Sequence, residues 1–361
     1  MKSVILNEML QNDELPLVSI SIPNYNYGHF LEYCFESVLN QTYPNLEISF
    51  NDNQSTDDSY DIAQKYRKIF LERGIYFHLY QNKRNVGSDR NSMISTSRTE
   101  GNFIYTLASD DAVAPTFIEH CVDVFVRYPE VGMVMTHREE IDLHGNITQT
   151  PPFYNTSCVI DGESQAAVFM MAGVAIPGQR IIRRSVLNGI GAYKYTFQVA
   201  GDWFDNFLFA MKGDVAYIKE PLCQYRVHPG NETNVSERNL LGIFEHYQII
   251  NSFVSISKAF DMEKPAERID AATKKLGDMC LRYSLKMLKL GLDDMAKKYL
   301  QLAPIFKDGI ENSEIYSDLS KCLSSKGEQR EKAITRLDAS GIAARAVSYD
   351  PPEGFVKLSF E

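Results

Sequence analysis

"LVSISIPNYNYGHFLEYCFESVLNQ" occupies residues 17–41, and its reading decides the fold. "LVSISI" (17–22) is a β-rich apolar run that stops at Pro23. From Gly28 onward Phe30, Leu31, Cys34 and Val38 recur at helical spacing. The same alternation then repeats. "LEISF" (46–50) is a second strand, "STDDSYDIAQKYRKIFLERG" (55–74) a capped helix ending at Gly74, and "IYFHLY" (75–80) a third strand. After "QNKRNVGSDRN" and a short helix comes a fourth strand, "NFIYTLA" (102–108). Strands separated by helices of this length predict right-handed βαβ units and an α/β fold with a mostly parallel sheet.

In open sheets of this kind ligands bind beyond the carboxyl ends of the strands. The chain is polar at those places: "PNYNYG", "NDNQSTDD", "QNKRNVG" and "SDDAVAP" follow the four strands in turn. Four loops rich in Asn and Asp point to one shared site. No G-x-G-x-x-G follows the first strand and no Walker A lysine exists, so an ordinary dinucleotide or P-loop site is excluded. Carboxylates and amides suit a ligand that needs hydrogen bonds to a base and a metal bridging a diphosphate. Asp110 and Asp111 lie side by side where an apolar strand stops, and like charges so placed repel. Two readings stand: a helix N-cap, or a cation site.

The 361 residues carry a formal net charge of −10, which argues against a general nucleic-acid binder. No apolar stretch approaches the roughly 20 residues of a spanning helix. "MKSVILNEMLQNDELP" is interrupted by polar residues too early for a secretory segment. The six cysteines are scattered without zinc spacing. A cytoplasmic location is expected, with peripheral contact at the inner face of the membrane as its extension. "VGMVMT" (131–136) reads as a strand, "HREEIDLHGNITQ" as a hairpin, and Arg180, Arg183 and Arg184 as solvated. From about Val235 the composition turns helical, with Leu276, Met279, Cys280, Tyr283, Met287 and Leu290 on one face. The tail "SYDPPEGFVKLSFE" has no helical signal and reads as strand or disorder.

The ordered set "SIPNYNYGHFLEYCFESVLNQTYPNLEI", "DNQSTDDS", "NVG", "LASDDAVAP", "GDWFDNFLFAMKG" and "YRVHPGN" resembles the inverting nucleotide-sugar glycosyltransferases of family two. The resemblance covers about residues 16–231. It implies the GT-A fold, a Rossmann-like sheet flanked by helices; with the compositional change near Val235, the chain divides into a leader (1–15), a catalytic domain (16–234) and an α-helical extension (235–361) that lies outside the resemblance. It also implies roles. Pro23 and Tyr25 match the first nucleotide-contacting loop, Asp52 and Asn53 the pair that bonds base and ribose, and Asn85 and Gly87 a further nucleotide loop. Asp110 and Asp111 match the end of the D-x-D-type motif that holds Mg²⁺ or Mn²⁺ on the donor diphosphate. Asp202 matches the catalytic base, with Asp205 in reserve, and His228 a late histidine that reaches the metal or the diphosphate.

Two departures stand out. Ala108 occupies the first acid of D-x-D, and Asn53 replaces the second acid of the base-binding pair. Asp202 also reads as a helix cap, His228 as a satisfied surface histidine, and Trp203 either as a sugar-stacking ring or as core. The expected activity is a single displacement. A sugar moves from a nucleoside-diphosphate sugar (UDP-sugar foremost, dTDP- or GDP-sugar open) to a hydroxyl of a glycan, lipid-linked or protein acceptor, in surface polysaccharide or glycoconjugate synthesis. The rival is a nucleotide-sugar-binding or scaffolding protein of reduced catalysis, acting through its helical half. That half also offers a face for homodimerisation or partner docking.

Overall fold

The computed structural model describes residues 4–11, 15–190, 197, 199–228, 238–342 and 348–359. A short helix α1 (Val4–Gln11) precedes β1 (Val18–Asn24), α2 (Gly28–Leu39), β2 (Leu46–Asp52), α3 (Ser59–Glu72), β3 (Tyr76–Gln81), α4 (Ser88–Ser97) and β4 (Phe103–Thr106). The middle of the chain forms β5 (Ala112–Val113), α5 (Phe117–Arg127), β6 (Val131–Ile141), β7 (Ile147–Thr148), β8 (Cys158–Ile160) and α6 (Gly162–Phe169). Next come β9 (Arg180–Arg183), α7 (Arg184–Gly189), α8 (Gly201–Ala210) and β10 (Asp214–Arg226). The extension contributes α9 (Leu241–Ala259), α10 (Glu263–Ala266), α11 (Ile269–Lys289), α12 (Asp293–Phe306), α13 (Glu314–Ser324) and α14 (Gly327–Ala339), followed by β11 (Val356–Lys357).

All described strands join one sheet in the order β11-β8-β10-β6-β9-β4-β1-β2-β3, with β5 on β10 and β7 on β6. The four expected βαβ strands are parallel, β3-β2-β1-β4. Beyond them the sheet is mixed: β9 runs antiparallel to both β4 and β6, whereas β6 and β10 are parallel.

The alternation in "VSISI" explains which faces pack. Val18, Ile20 and Ile22 join the core shared with α2, α3 and α5. Ser19 and Ser21 face the other way, where Ser19 Oγ donates to Glu47 Oε1 and Thr96 Oγ1 of α4 donates to Ser21 Oγ. On β6, Met133 and Met135 point into the second core, formed with α6, α8 and the extension, while Val131 and Val134 point into the first. A Cβ on Gly162 would sit 2.1 Å from the Ala210 carbonyl oxygen, so glycine is required where α6 crosses the end of α8.

The expected leader is a helix whose Leu6 is fully buried in the first core. The helical extension is continuous with the second core. Phe253 of α9 stacks on Phe207 and Phe204 of α8, with ring centroids 3.9 and 5.6 Å apart. On α11, Leu276, Cys280 and Met287 are buried as expected, whereas Leu290 at its end is exposed. The expected boundary at 234/235 lies outside the described residues. The tail closes as a strand, β11, paired antiparallel to β8.

Candidate active site

The strand register assembles the floor. Asn24 lies level with Asp52, and Asp52 with Gln81, at the carboxyl ends of β1, β2 and β3. Asp52 Oδ1 accepts from Asn24 Nδ2 (3.0 Å) and Ser55 Oγ, and Oδ2 accepts from Ser55 N (2.9 Å) and Gln81 Nε2 (3.0 Å). Four donors occupy a side chain that is fully buried. Asp52 therefore ties three strand ends together from beneath the loops.

Asn53 is also saturated. Its Oδ1 accepts from Asn82 Nδ2 and Val86 N, and its Nδ2 donates to Asn85 Oδ1 and the Gly87 carbonyl. In this arrangement it shapes the 85–87 loop rather than offering a free hydrogen-bonding edge. Gly87 has φ 88°, a left-handed conformation that favours glycine, and it launches α4. Asn82 and Asn91 complete this amide network and went unread in the sequence. Asn51 Nδ2 donates to both, and Arg98 donates to Asn51 Oδ1 at 2.7 Å. Their only signal was the density of Asn in the loops.

Above this floor lies a cavity of about 650 Å³. Pro23, Tyr25, Asn53, Asn85, Gly87, Asp110, Asp111, Asp202 and Asp205 all line it. Residues separated by more than 170 positions in the chain thus meet at the carboxyl ends of β1, β2 and β4, as the topology of open sheets requires.

The adjacent acids part company. The next helix, α5, begins only at Phe117 with Thr116 at its N-cap, so neither acid caps it. Asp110 Oδ2 lies 3.1 Å from His228 Nε2. Asp111 Oδ1 instead accepts from the Arg226 amide at 2.8 Å. Burial first, then the Asp110 charge, pushes the Asp111 carboxyl well above the ordinary carboxylate range, towards its neutral form. The repulsion is relieved by this asymmetry.

Among the described residues no group of three or more His, Cys, Asp and Glu is placed to hold a metal. Asp111, turned to the Arg226 amide, lines the same cavity as Asp110. Asp110 and His228 form a carboxylate–imidazole pair at the cavity edge, a donor set that fits a divalent cation whose other ligands come from a diphosphate and water. Arg226 donates from Nε to the Asp110 carbonyl and from Nη1 to the Asp142 carbonyl, both at 2.8 Å. It braces the loop that carries Asp110.

Asp202 lies in the first turn of α8, two residues after the N-cap Ala200. Its Oδ1 accepts from the Trp203 amide at 2.8 Å. Burial raises its carboxyl, opposed first by the charge of Arg180. The start of α8 is held from the extension: Glu245 Oε2 of α9 accepts from Val199 N (2.8 Å) and Ala200 N (3.2 Å). A carboxylate at this helix start satisfies amides that lack partners within the helix.

Trp203 turns away from the cavity. Its Nε1 donates to the Phe169 carbonyl, and its ring meets His246 and Phe253. It is a core residue, and the sugar-stacking reading is withdrawn. The three arginines are also not fully solvated: Arg183 and Arg184 are half-buried. Arg183 donates to the Val131 and Phe125 carbonyls, Arg184 to the Gly101 carbonyl, and Arg180 is 4% exposed beneath α8.

A second cavity, about 1260 Å³, opens between β6, α6 and the extension. Arg138, Tyr349, Arg268 and Lys275 line it, and it holds none of the expected site residues. The segment 173–179 divides the two spaces. Gly173, Val174 and Gln179 line the larger, and Ile176, Pro177 and Gly178 the smaller.

Residues 19–191 match the sequence model described as Glycosyl transferase family 2. Over 133 residues the chain is 35% identical to chondroitin synthase of Escherichia coli, covering 37% of this chain and 19% of that protein. Over 236 residues it is 26% identical to the putative glycosyltransferase EpsH of Bacillus subtilis, covering 60% and 62%. The chain thus spans about a fifth of the first relative and under two thirds of the second. In fold it is similar to S. aureus TarS 1-349 in complex with UDP-GlcNAc, with TM-score 0.59 and 14% identity over 95% of this chain and 97% of that one. It is also similar to the mannosyltransferase PcManGT of Pyrobaculum calidifontis in complex with GDP-Man and Mn²⁺, with TM-score 0.54 and 17% identity over 91% and 86%. The likeness to TarS spans the helical extension as well as the sheet.

Proposed function

Because residues 19–191 make this chain a member of glycosyltransferase family 2, on the GT-A fold, we propose that it transfers a glycosyl group from a nucleoside-diphosphate sugar to an acceptor hydroxyl with inversion. The observation that carries this is the meeting of Asp110, Asp202 and the 23–25 and 85–87 loops around one cavity. In this reading the donor's nucleotide lies against the loops, and its diphosphate faces Asp110. The acceptor oxygen attacks the anomeric carbon while the bond to the diphosphate breaks. The diphosphate leaves with the electron pair, and Asp202 takes the hydroxyl proton. Asp110 and His228 would hold Mg²⁺ or Mn²⁺, which when bound neutralises charge on the leaving diphosphate.

A UDP-sugar is the leading donor, and the UDP-GlcNAc and GDP-mannose bound by proteins of similar fold bracket the choice. We assign the body of the acceptor to the larger cavity, which adjoins the donor site across the 173–179 segment. Its rings and mixed charges suit a carbohydrate chain. Synthesis of a surface polysaccharide or glycoconjugate is the setting that follows.

Thermal shift against UDP, dTDP, GDP and CDP, each with and without Mn²⁺, tests the donor half. A ligand that binds only the folded state raises Tm by mass action. One nucleotide should raise Tm by a few degrees in the presence of Mn²⁺, and Asp110→Ala should lose the metal-dependent part. No shift with any nucleotide overturns the assignment.

A further inference from the structure

Arg180 is sealed beneath the helix that carries the proposed base. Its Nη1 donates to the Asp202 carbonyl oxygen at 3.1 Å and to the Asn206 side-chain oxygen, and its Nη2 lies 3.9 Å from Asp205 Oδ2. The guanidinium carbon sits 5.3 Å from the centre of the Phe209 ring. Every one of these partners belongs to α8. Asn206 is fixed in turn, since its Nδ2 donates to the Ala175 carbonyl at 2.7 Å. A buried guanidinium with one long ion pair is an expensive way to brace a helix, because desolvation of the charge exceeds what such a pair returns. Its position therefore calls for a role that needs the charge.

We propose that Arg180 is a positioning residue for glycosyl transfer: it fixes the first turn of α8 and sets a permanent positive charge beside Asp202, keeping that carboxylate ionised and ready to accept a proton. This rests on reading Asp202 as the base. The groups facing Asp202 are few. Arg180 approaches from β9, Asp205 from its own helix and Tyr225 from β10, while Glu245 of α9 holds the two amides before the helix. Burial and Asp205 favour the protonated acid, and Arg180 is the cation that opposes them. Asp205, the reserve candidate, is nearer the guanidinium and is held as its counter-ion.

The test titrates Asp202 directly, without needing the sugar donor. The protein is labelled with ¹³C at aspartate carboxyls, and the Asp202 signal is identified by its loss in Asp202→Asn. Its midpoint is then followed in the wild type, Arg180→Met, Arg180→Gln and Arg180→Lys. Arg180→Gln keeps a donor for the Asp202 carbonyl and serves if the methionine variant does not fold. Loss of the charge should raise the midpoint by about one pH unit or more, and lysine should restore most of it. An unmoved midpoint in a folded neutral variant overturns the proposal, as does a lysine variant shifted as far as glutamine. Nucleoside diphosphate release by Asp202→Asn separates the two ideas. If that variant turns over like the wild type, the base assignment fails whatever Arg180 does to the titration.

Discussion

The backbone amide of Arg226 donates to Asp111 Oδ1 at 2.8 Å, while Asp110 turns its carboxylate to His228. The two neighbouring acids thereby take different partners. Burial and the Asp110 charge push the Asp111 carboxyl well above the ordinary carboxylate range, and both acids line the cavity.

That difference predicts opposite outcomes for two substitutions. Asp111→Asn keeps an acceptor oxygen for the Arg226 amide and should leave the Mn²⁺-dependent nucleotide shift in place. Asp110→Ala should abolish it, and EDTA added to the wild type should reproduce the loss. Calorimetric titration of nucleoside diphosphate, with and without metal, checks both.

Asp202→Asn should reduce transfer by about 10²–10⁴-fold while donor affinity stays within a few-fold. The same variant should be at least as stable as the wild type at neutral pH. Burial raises the Asp202 carboxyl in the folded state above its unfolded value. The folded chain then binds more protons than the unfolded one between those two values, so wild-type stability falls as pH rises through the folded value. The stability gap between variant and wild type should narrow on acidification below the unfolded value near 4. Urea melts at several pH values read this directly.

Trp203→Phe removes the donor to the Phe169 carbonyl deep in the second core. A stability loss of about 1–3 kcal/mol is expected from the unpaired carbonyl. The KM for donor should not move, because the ring does not face the cavity. A large rise in KM at unchanged stability would restore the sugar-stacking role.

Glu245→Ala leaves the amides of Val199 and Ala200 without their carboxylate partner. About 1–3 kcal/mol of stability should be lost, and kcat should fall more than donor affinity, since the start of the Asp202 helix loosens while the nucleotide loops stay intact. Glu245→Gln, which retains one acceptor oxygen, should recover most of the turnover.

The first half of the fold was legible because each strand and helix advertises its own period. "VSISI" alternates faithfully, and Phe30, Leu31, Cys34 and Val38 are all buried on α2. That the polar loops would meet around one cavity followed from loop polarity and sheet topology. Individual roles were harder to read. Asp52 and Asn53 look like ligand-binding groups until their hydrogen bonds are counted, and those bonds come from strands and loops up to about thirty residues away. Arg180 was misread, and Trp203 was left between two readings, for one reason. A local window shows residue type but not which face of a helix meets α9, or what lies beneath a strand. Glu245 was invisible because its partners, Val199 and Ala200, precede it by more than forty residues.

The pairing of β11 with β8 joins Val356 to Val159 and Lys357 to Cys158. Until that late segment arrives, β8 presents open amides and carbonyls at the margin of the sheet, next to the buried side chains of Cys158 and Ile160. Contacts between such distant parts of a chain form slowly, because a long loop must close before they repay its entropy. During synthesis the pair therefore cannot form until the residues between Ile160 and Val356 have been made. This margin is then a place where newly made chains are open to pairing with one another.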